Sequence, residues 1–137
     1  MLRGLTTVTY FADDLAAARR WYTELLGVEP YFEKSDGDDV AYLEYRIGDY
    51  LAELGLLDRR YVQDKPGGAG AGLVYWAVDD VHAAFDRLLA LGATEHERPI
   101  ERGPGFVTAS ATDPFGNVLG VMYNEHYLDV LAARTGA

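Results

Sequence analysis

The chain has 137 residues, of which 49% are apolar, so it can bury a hydrophobic core and is not expected to be disordered. Its formal net charge of −10 argues against binding to nucleic acid or anionic lipid, and the absence of cysteine excludes disulfides and thiolate metal ligands. No apolar run approaches the ~20 residues that cross a bilayer, and the N-terminus lacks the features of a signal peptide. We therefore expect a soluble, cytoplasmic protein that contacts neither nucleic acid nor membrane.

The first half of the chain predicts a strand, a helix and three more strands. Asp14 or Asp13 can cap the start of the helix with its carboxylate, and Gly27 can adopt the left-handed conformation that ends it. Between them, apolar residues recur at three- and four-residue steps and give the helix one apolar face. Three strand-like runs follow, at about 28–34, 40–47 and 50–57, separated by turns rich in glycine and aspartate.

The second half of the chain repeats this order. Asp80 lies 66 residues after Asp14, and Gly92 lies 65 residues after Gly27. The strand-like runs that follow the second helix are at about 93–100, 106–112 and 117–123. Chance is a poor explanation for a strand, an aspartate cap, a helix and a glycine stop that recur in the same order, so we predict two copies of one module.

The repeat predicts an α+β fold with two tandem β-α-β-β-β modules, whose curved mixed sheets surround a cavity, and with a short C-terminal helix. The modules are expected to form one structural domain, because such a sheet needs a second copy or another subunit to cover it. A ligand would lie in the cavity. The predicted divisions are residues 1–64 for the first module, 65–72 for a glycine-rich linker, 73–124 for the second module and 125–137 for the helix and tail.

Two stretches of the sequence resemble a known family. The first runs from Asp14-Leu15 through Arg20-Trp21-Tyr22 to Leu25-Leu26-Gly27, and the second is the turn Asp113-Pro114-Phe115-Gly116-Asn117 before the last strand. Together with the duplication, they resemble the vicinal-oxygen-chelate superfamily of glyoxalases, bleomycin-resistance proteins and dioxygenases, over about residues 4–124. The resemblance implies a small-molecule ligand and a homodimer. Since enzymes and metal-free binding proteins share this fold, the site must decide the function.

Enzymes that the sequence resembles hold a divalent metal ion through His, Gln or Glu side chains on four strands. Carried over to this sequence, the four positions are Thr7, Glu53, Leu73 and Gly120. Only the glutamate is a strong ligand, because leucine and glycine have no donor side chain and threonine offers a neutral hydroxyl. The three histidines, His82, His96 and His126, show no metal-binding spacing and are expected to face solvent or to cap helices. We therefore predict no metal site and no cofactor.

Glu53 is predicted to point into a half-dry cavity, because both faces of its strand are largely apolar. A buried, unpaired carboxylate costs several kcal/mol, so it needs a partner. That partner is a ligand cation, the hydroxyl of Thr7 or of a tyrosine, or water. Glu53 is thus either a relic held by neighbouring hydroxyls or a residue that contacts the ligand.

Aromatic side chains are plentiful, with ten Tyr, five Phe and two Trp. Most belong in the core, but a cavity that combines aromatic rings with one carboxylate suits a planar, partly cationic ligand. The acidic balance is in keeping with such a ligand, although it also serves solubility alone. The predicted ligand-binding residues are Thr7, Tyr45, Glu53, Leu73, Tyr75, Phe106, Gly120 and Tyr123.

These observations favour a metal-free protein that binds and sequesters a small aromatic or cationic metabolite or antibiotic, as the resemblance to bleomycin-resistance proteins implies. One alternative is a metal-dependent lyase, isomerase or dioxygenase with its ligands elsewhere in the chain. Another is a cofactor-free enzyme in which Glu53 acts as the general base and removes a proton beside a carbonyl group. The third is a structural or regulatory partner whose cavity is empty.

Overall fold

The computed structural model describes residue 1, residues 3–61 and residues 73–135 of the chain. The chain divides into two compact units, Met1–Gly68 and Ala69–Ala137. Each unit contains one β-α-β-β-β module, as the repeat predicts, and the second ends in an additional helix. The predicted linker at 65–72 lies outside the described residues, and the predicted cavity stays a prediction.

The first unit contains one helix and a four-stranded mixed sheet. Its elements in chain order are β1 (Thr7–Ala12), α1 (Leu15–Leu26), β2 (Phe32–Asp36), β3 (Asp39–Ile47) and β4 (Ala52–Asp58), followed by a 3₁₀ turn at Arg59–Tyr61. The strand order is β1-β4-β3-β2, in which β1 is parallel to β4 and the other pairs are antiparallel. The central strand β4 therefore lies between β1 and β3.

Helix α1 begins and ends where the sequence predicts. The Asp14 carboxylate accepts a hydrogen bond from Ala17 N at 3.0 Å, and Gly27 ends the helix at φ 72°. The helix packs on β3 and β4. Its buried residues are Leu15, Ala18 and Tyr22.

The face of the first sheet that lies under α1 is apolar. Its buried hydrophobic residues are Val8, Tyr10, Ala12, Ala41, Leu43, Tyr45, Leu54 and Leu56. Burial of such a face stabilises the unit by roughly 25 cal/mol per Å² of apolar surface. Because side chains alternate along a strand, the intervening residues lie on the opposite face, which we call the distal face of the unit.

The second unit repeats this arrangement. Its elements are β5 (Tyr75–Ala77), α2 (Val81–Ala90), β6 (Thr94–Gly103), β7 (Phe106–Thr112), β8 (Val118–Asn124) and α3 (Glu125–Thr135). The strand order is β5-β8-β7-β6, with β5 parallel to β8. Asp80 caps α2 by accepting a hydrogen bond from Ala83 N at 3.0 Å, and Gly92 follows the helix at φ 101°. Helix α2 packs on β6, β7 and β8 through Val81, Phe85 and Leu88.

Two element boundaries in the first unit differ from the prediction. Strand β2 begins at Phe32 rather than near residue 28, and Pro30, in the preceding segment, lacks the N–H that a strand ladder uses. Strand β4 begins at Ala52 rather than near residue 50, because residues 48–51 form a four-residue loop. In that loop Leu51 N–H donates to Gly48 O at 3.1 Å.

Helix α3 begins at Glu125, as predicted, and none of its residues is buried. In the part of the chain that the structure describes, every helix is too short or too polar to cross a membrane. The compartment in which the protein works stays a prediction.

Candidate functional site

The distal face of the first unit carries a row of three polar side chains on adjacent strands. Glu53 on β4 lies directly opposite Thr7 on β1 and Arg46 on β3. Thr7 Oγ1 donates a hydrogen bond to Glu53 Oε2 at 2.5 Å, and Arg46 Nη2 lies 2.8 Å from Glu53 Oε1. Each carboxylate oxygen of Glu53 thus has its own donor, and the side chain is only 17% exposed.

Arg46 is held by two further contacts. Its Nη1 donates to Leu51 O at 3.3 Å, and its guanidinium carbon lies 5.1 Å from the centre of the Tyr31 ring. The sequence prediction included the Thr7 hydroxyl among the possible partners of Glu53, and that contact is present. The prediction did not include Arg46. The structure pairs Glu53 with this arginine, which is a cation of the chain itself.

The donors on this row do not fit the divalent metal ion that the resemblance implies. Thr7 and Glu53 are bonded to each other, and the Arg46 guanidinium repels a second cation at the same place. In the second unit, Leu73 and Gly120 supply no donor side chain. Among the described residues, no group of three or more His, Cys, Asp or Glu side chains is arranged to hold a metal ion.

A second polar group lies one row further along the same face. Glu44 on β3 accepts a hydrogen bond from the Tyr42 hydroxyl at 2.5 Å and another from the Tyr31 hydroxyl. Burial raises the pKa of Glu44, the charge of Glu53 raises it further, and Arg46 lowers it in part. Burial and the charge of Glu53 also raise the pKa of Tyr42. The carboxylates of Glu44 and Glu53 are therefore close enough to affect each other's surroundings.

Gly55 on β4 makes room for the ring of Tyr42. It lies opposite Thr9 on one side and Glu44 on the other. A Cβ at this position would be 2.4 Å from the Tyr42 hydroxyl oxygen and 2.7 Å from its ring carbon Cε1. The Tyr42 side chain therefore covers the backbone of Gly55, and a larger residue would displace it.

Three aromatic rings adjoin Glu44, and we call Tyr31, Phe32 and Tyr42 the aromatic cluster. The ring centres of Tyr31 and Phe32 are 6.4 Å apart, and those of Phe32 and Tyr42 are 6.3 Å apart with the rings edge to face. Tyr31 and Phe32 are 51% and 46% exposed. Two of the three rings are thus accessible to a ligand.

Tyr45, which the sequence prediction placed among the ligand-binding residues, lies on the other face of the sheet. It is fully buried under α1, and its hydroxyl is 2.9 Å from Thr23 Oγ1 and donates to Arg19 O at 3.2 Å. Burial raises its pKa. Since side chains alternate along β3, the tyrosine of this strand that reaches the distal face is Tyr42, and Tyr45 belongs to the core.

The second unit brings together two other predicted residues, Tyr75 on β5 and Gly120 on β8, which lie opposite each other. A Cβ on Gly120 would be 2.6 Å from Tyr75 Cδ1 and 2.6 Å from Val74 O. Gly120 also lies opposite Ser110 on β7, just as Gly55 lies opposite Glu44 on β3. Gly120 is therefore the counterpart of Gly55. The counterpart of Glu53, two residues earlier on the strand, is Val118, whose side chain has no donor either.

The other predicted ligand-binding residues are spread over the second unit. Leu73 precedes β5 and is 40% exposed. Phe106 begins β7, where alternation places it on the distal face with Ser110. Tyr123 on β8 alternates instead with the residues that face α2. Of the predicted set, the structure thus brings Thr7 to Glu53 and Tyr75 to Gly120.

The three histidines all belong to the second unit. His82 and His126 are exposed, and His126 N donates to Asn124 Oδ1 at 3.0 Å. His96 Nδ1 is 2.8 Å from Ser110 Oγ.

Sequence reasoning missed four residues of the distal face, namely Tyr31, Tyr42, Glu44 and Arg46. Three of them alternate along β3, so one face of that strand is polar over three consecutive outward positions. This alternation is the signal that could have identified them. Tyr31 precedes β2 and carries no comparable signal.

The turn at residues 113–117, the most recognisable part of the resemblance, has a structural role. Asp113 Oδ1 accepts hydrogen bonds from Phe115 N at 2.9 Å and Asn117 N at 2.8 Å, and its Oδ2 accepts one from Asn117 Nδ2 at 2.8 Å. Asp113 N also donates to Asn117 O at 2.8 Å. These bonds close the loop and set the register of β7 and β8.

Comparison with known proteins agrees with this fold. The sequence profile of the Glyoxalase/Bleomycin resistance protein/Dioxygenase superfamily matches residues 4–121. Among curated proteins, none matches the sequence significantly.

Several solved structures are similar to this chain. A glyoxalase-related enzyme from Fulvimarina pelagi has 21% identity and a TM-score of 0.68, with 90% of each chain covered. A lactoylglutathione lyase from Agrobacterium tumefaciens has 22% identity and a TM-score of 0.66, over 93% of this chain and 98% of that one. A superfamily member from Sphaerobacter thermophilus has 20% identity and a TM-score of 0.69, over 88% and 97%. At these identities the similarity shows the fold alone.

Proposed function

We propose that this chain, which belongs to the Glyoxalase/Bleomycin resistance protein/Dioxygenase superfamily, binds a small aromatic ligand on the distal face of its first unit without a metal ion. Binding and shielding the ligand is then the function, and no covalent chemistry is required. The ligand class is a metabolite or antibiotic with a planar ring.

The observation that carries this proposal is the ion pair between Arg46 and Glu53. Glu53 is the one strong donor among the four implied ligand positions, and both of its oxygens already have partners. A divalent ion would have to displace the guanidinium, and it would then find one carboxylate and one neutral hydroxyl, which are too few donors for a stable site. The same two partners disfavour Glu53 as the general base of a cofactor-free enzyme.

The aromatic cluster supports a ring-bearing ligand. Tyr31 and Phe32 offer accessible ring surface, and Tyr42 is held over Gly55 beside them. The carboxylate of Glu44 lies next to these rings and supplies a polar group that can orient a ligand. Ring surface combined with a few polar groups is the usual lining of a small-molecule site.

Binding is tested with ¹H–¹⁵N spectra of the full chain in the presence of neutral, cationic and anionic aromatic compounds, each with and without EDTA. We expect the amides around Tyr42 and Gly55 to shift for part of this panel, with the same affinity in EDTA. A panel that shifts none of these amides would contradict the proposal, and so would an affinity that EDTA abolishes.

The variant Gly55→Ala tests whether the ligand binds at this place, because its new methyl group displaces the Tyr42 ring. We expect at least about tenfold weaker binding, which corresponds to roughly 1.4 kcal/mol. Gly103→Ala is the control, since a Cβ at Gly103 meets nothing within 4 Å. Equal loss of affinity in both variants would show that the effect does not come from the distal face of the first unit.

We also propose a homodimer, as the resemblance implies. The chain mass is 15.1 kDa, so light scattering on a gel-filtration peak should give about twice that value. A mass of one chain at every concentration tested would contradict this part of the proposal.

A further inference from the structure

We infer that the aromatic cluster and Glu44 form a subsite for a positively charged nitrogen of the ligand, as in a methylated ammonium group. This inference rests on the proposed function and assigns the chemical class of its ligand. It places the cation beside β2 and β3, rather than at Glu53, whose charge Arg46 already pairs.

The rings provide the first half of the argument. The faces of aromatic rings attract cations within about 6 Å of their centres. Tyr31, Phe32 and Tyr42 follow one another at centre-to-centre distances of 6.4 and 6.3 Å, and the first two are half exposed. The Arg46 guanidinium, 5.1 Å from the Tyr31 ring centre, is already a cation bound to this cluster.

Glu44 provides the second half of the argument. Its two oxygens accept hydrogen bonds from Tyr31 and Tyr42, which fixes the carboxylate beside two of the rings. Arg46 pairs with Glu53, and no ion pair to Glu44 is found within the described ranges. Because Glu44 is a carboxylate without an ion pair in those ranges, a ligand cation is favoured over an anion beside it.

A methylated ammonium fits this arrangement better than a small hydrated ion. Its methyl groups gain contact with the ring faces, whereas a hard metal ion prefers several oxygen ligands and finds one carboxylate. Lys34 on β2 lies opposite Tyr42. Its ammonium group is the one lysine cation among the paired residues of β2 and β3, and it competes with a ligand cation for Glu44 and the rings. Its exposed side chain is free to move aside when a ligand binds.

The experiment compares choline with 3,3-dimethyl-1-butanol, a neutral molecule of the same shape, in ¹H–¹⁵N spectra of the full chain. We expect choline to shift the amides of Phe32 and of residues 42–44, with at least about fivefold higher affinity than the alcohol. Equal affinity for the two probes would overturn the inference.

Glu44→Gln removes the charge and keeps an oxygen that accepts a tyrosine hydroxyl. We expect it to lower choline affinity by at least about fivefold and to lower the affinity for neutral aromatic compounds by a smaller factor. Glu33→Gln is the matched control, because Glu33 lies next along β2 from Phe32, pairs with Arg19 at 3.4 Å and faces the other side of the sheet. A similar loss of choline affinity in the two variants would overturn the inference.

Lys34→Gln gives an independent measurement that does not rely on a partly buried residue. Removing the competing ammonium should raise choline affinity by about two- to threefold. An unchanged or lower affinity would contradict the inference even if Glu44→Gln failed to fold.

The outcomes separate this inference from the proposed function. If neutral and cationic aromatic compounds bind the distal face equally and Glu44→Gln changes neither, the proposed function stands and the cation subsite is wrong. If no aromatic compound binds this face but choline still does, the proposed aromatic ligand is wrong and the subsite stands.

Discussion

In the first unit the central strand presents a charged row to its distal face, whereas the second unit presents a neutral one. Glu53 lies opposite Arg46, and its counterpart Val118 lies opposite Thr112. Both rows occupy the same place in the same module. One copy thus carries an ion pair where the other carries an aliphatic and a hydroxyl side chain, so the side chains at this row differ although the strand order is the same.

The next row shows the same divergence around a shared glycine. Tyr42 on β3 covers Gly55 in the first unit, whereas Tyr75 on β5 covers Gly120 in the second, so the ring comes from opposite neighbours. A backbone without a side chain at this point admits a ring from either side.

The residues opposite these glycines differ too. Glu44 is bonded to Tyr31 in the first unit, and Ser110 is bonded to His96 in the second. The first unit therefore places a carboxylate beside exposed rings, and the second places a hydroxyl beside an imidazole. This difference is why the proposed ligand site lies on the first unit.

The largest expected effect on stability concerns the turn at residues 113–117, between β7 and β8 of the second unit. In the first unit, the four-residue loop at 48–51 takes the place of this turn. Asp113→Ala removes the acceptor of three hydrogen bonds in a buried turn. We expect the free energy of unfolding to fall by about 3 kcal/mol, because the donors of Phe115 and Asn117 lose their partner. Chemical denaturation measures this. Asp38→Ala, in the exposed turn between β2 and β3, should change it by less than about 0.5 kcal/mol.

The next effect separates the two glycines. Gly120→Ala should lower the free energy of unfolding by about 2 kcal/mol, because its Cβ would meet the backbone oxygen of Val74 at 2.6 Å. Gly55→Ala should cost less, since its Cβ meets only the far end of the Tyr42 side chain, which can move. Thermal or chemical unfolding of both variants measures the difference. A larger loss for Gly55→Ala would mean that the Tyr42 side chain is as fixed as the backbone.

Much of the fold could be predicted because its signals are local. The caps at Asp14 and Asp80 and the stops at Gly27 and Gly92 each depend on one or two residues, and the repeat made each half a check on the other. The start of α3 at Glu125 is equally local. Such signals do not require knowledge of strand pairing.

The site could be predicted only in part, because its residues meet through strand register. A two-residue turn at Gly48 and Asp49 would have placed Glu44 opposite Glu53. The observed loop is two residues longer and includes Leu51 at φ 52°, so Arg46 lies there instead. A non-glycine residue in the left-handed region has no clear sequence signal, so the ion pair could not be foreseen.

The smallest expected effect compares two carboxylates of the first unit that titrate in opposite directions. Burial and Glu53 raise the pKa of Glu44 above its ordinary value of 4.5. Burial alone would raise the pKa of Asp58, but hydrogen bonds from the side chain and backbone of Arg60 outweigh it and hold the pKa below 3.8. These bonds measure 3.1 and 3.0 Å.

The sign of each effect follows from proton binding. The folded state holds a proton on Glu44 more readily than the unfolded state, so this group contributes stability below its unfolded pKa and loses it as pH rises through the folded value. Asp58 does the reverse: its contribution is present at neutral pH and is lost as pH falls below about 3.8 through its folded pKa.

The free-energy difference between wild type and Asp58→Asn should therefore shrink on acidification. The difference for Glu44→Gln should move in favour of the wild type between about pH 7 and pH 4. Denaturation curves at several pH values should show both changes, each below about 1 kcal/mol, since these groups are partly screened by solvent. Parallel pH profiles for the two variants would contradict the opposite directions in which the pKa values of Glu44 and Asp58 are shifted.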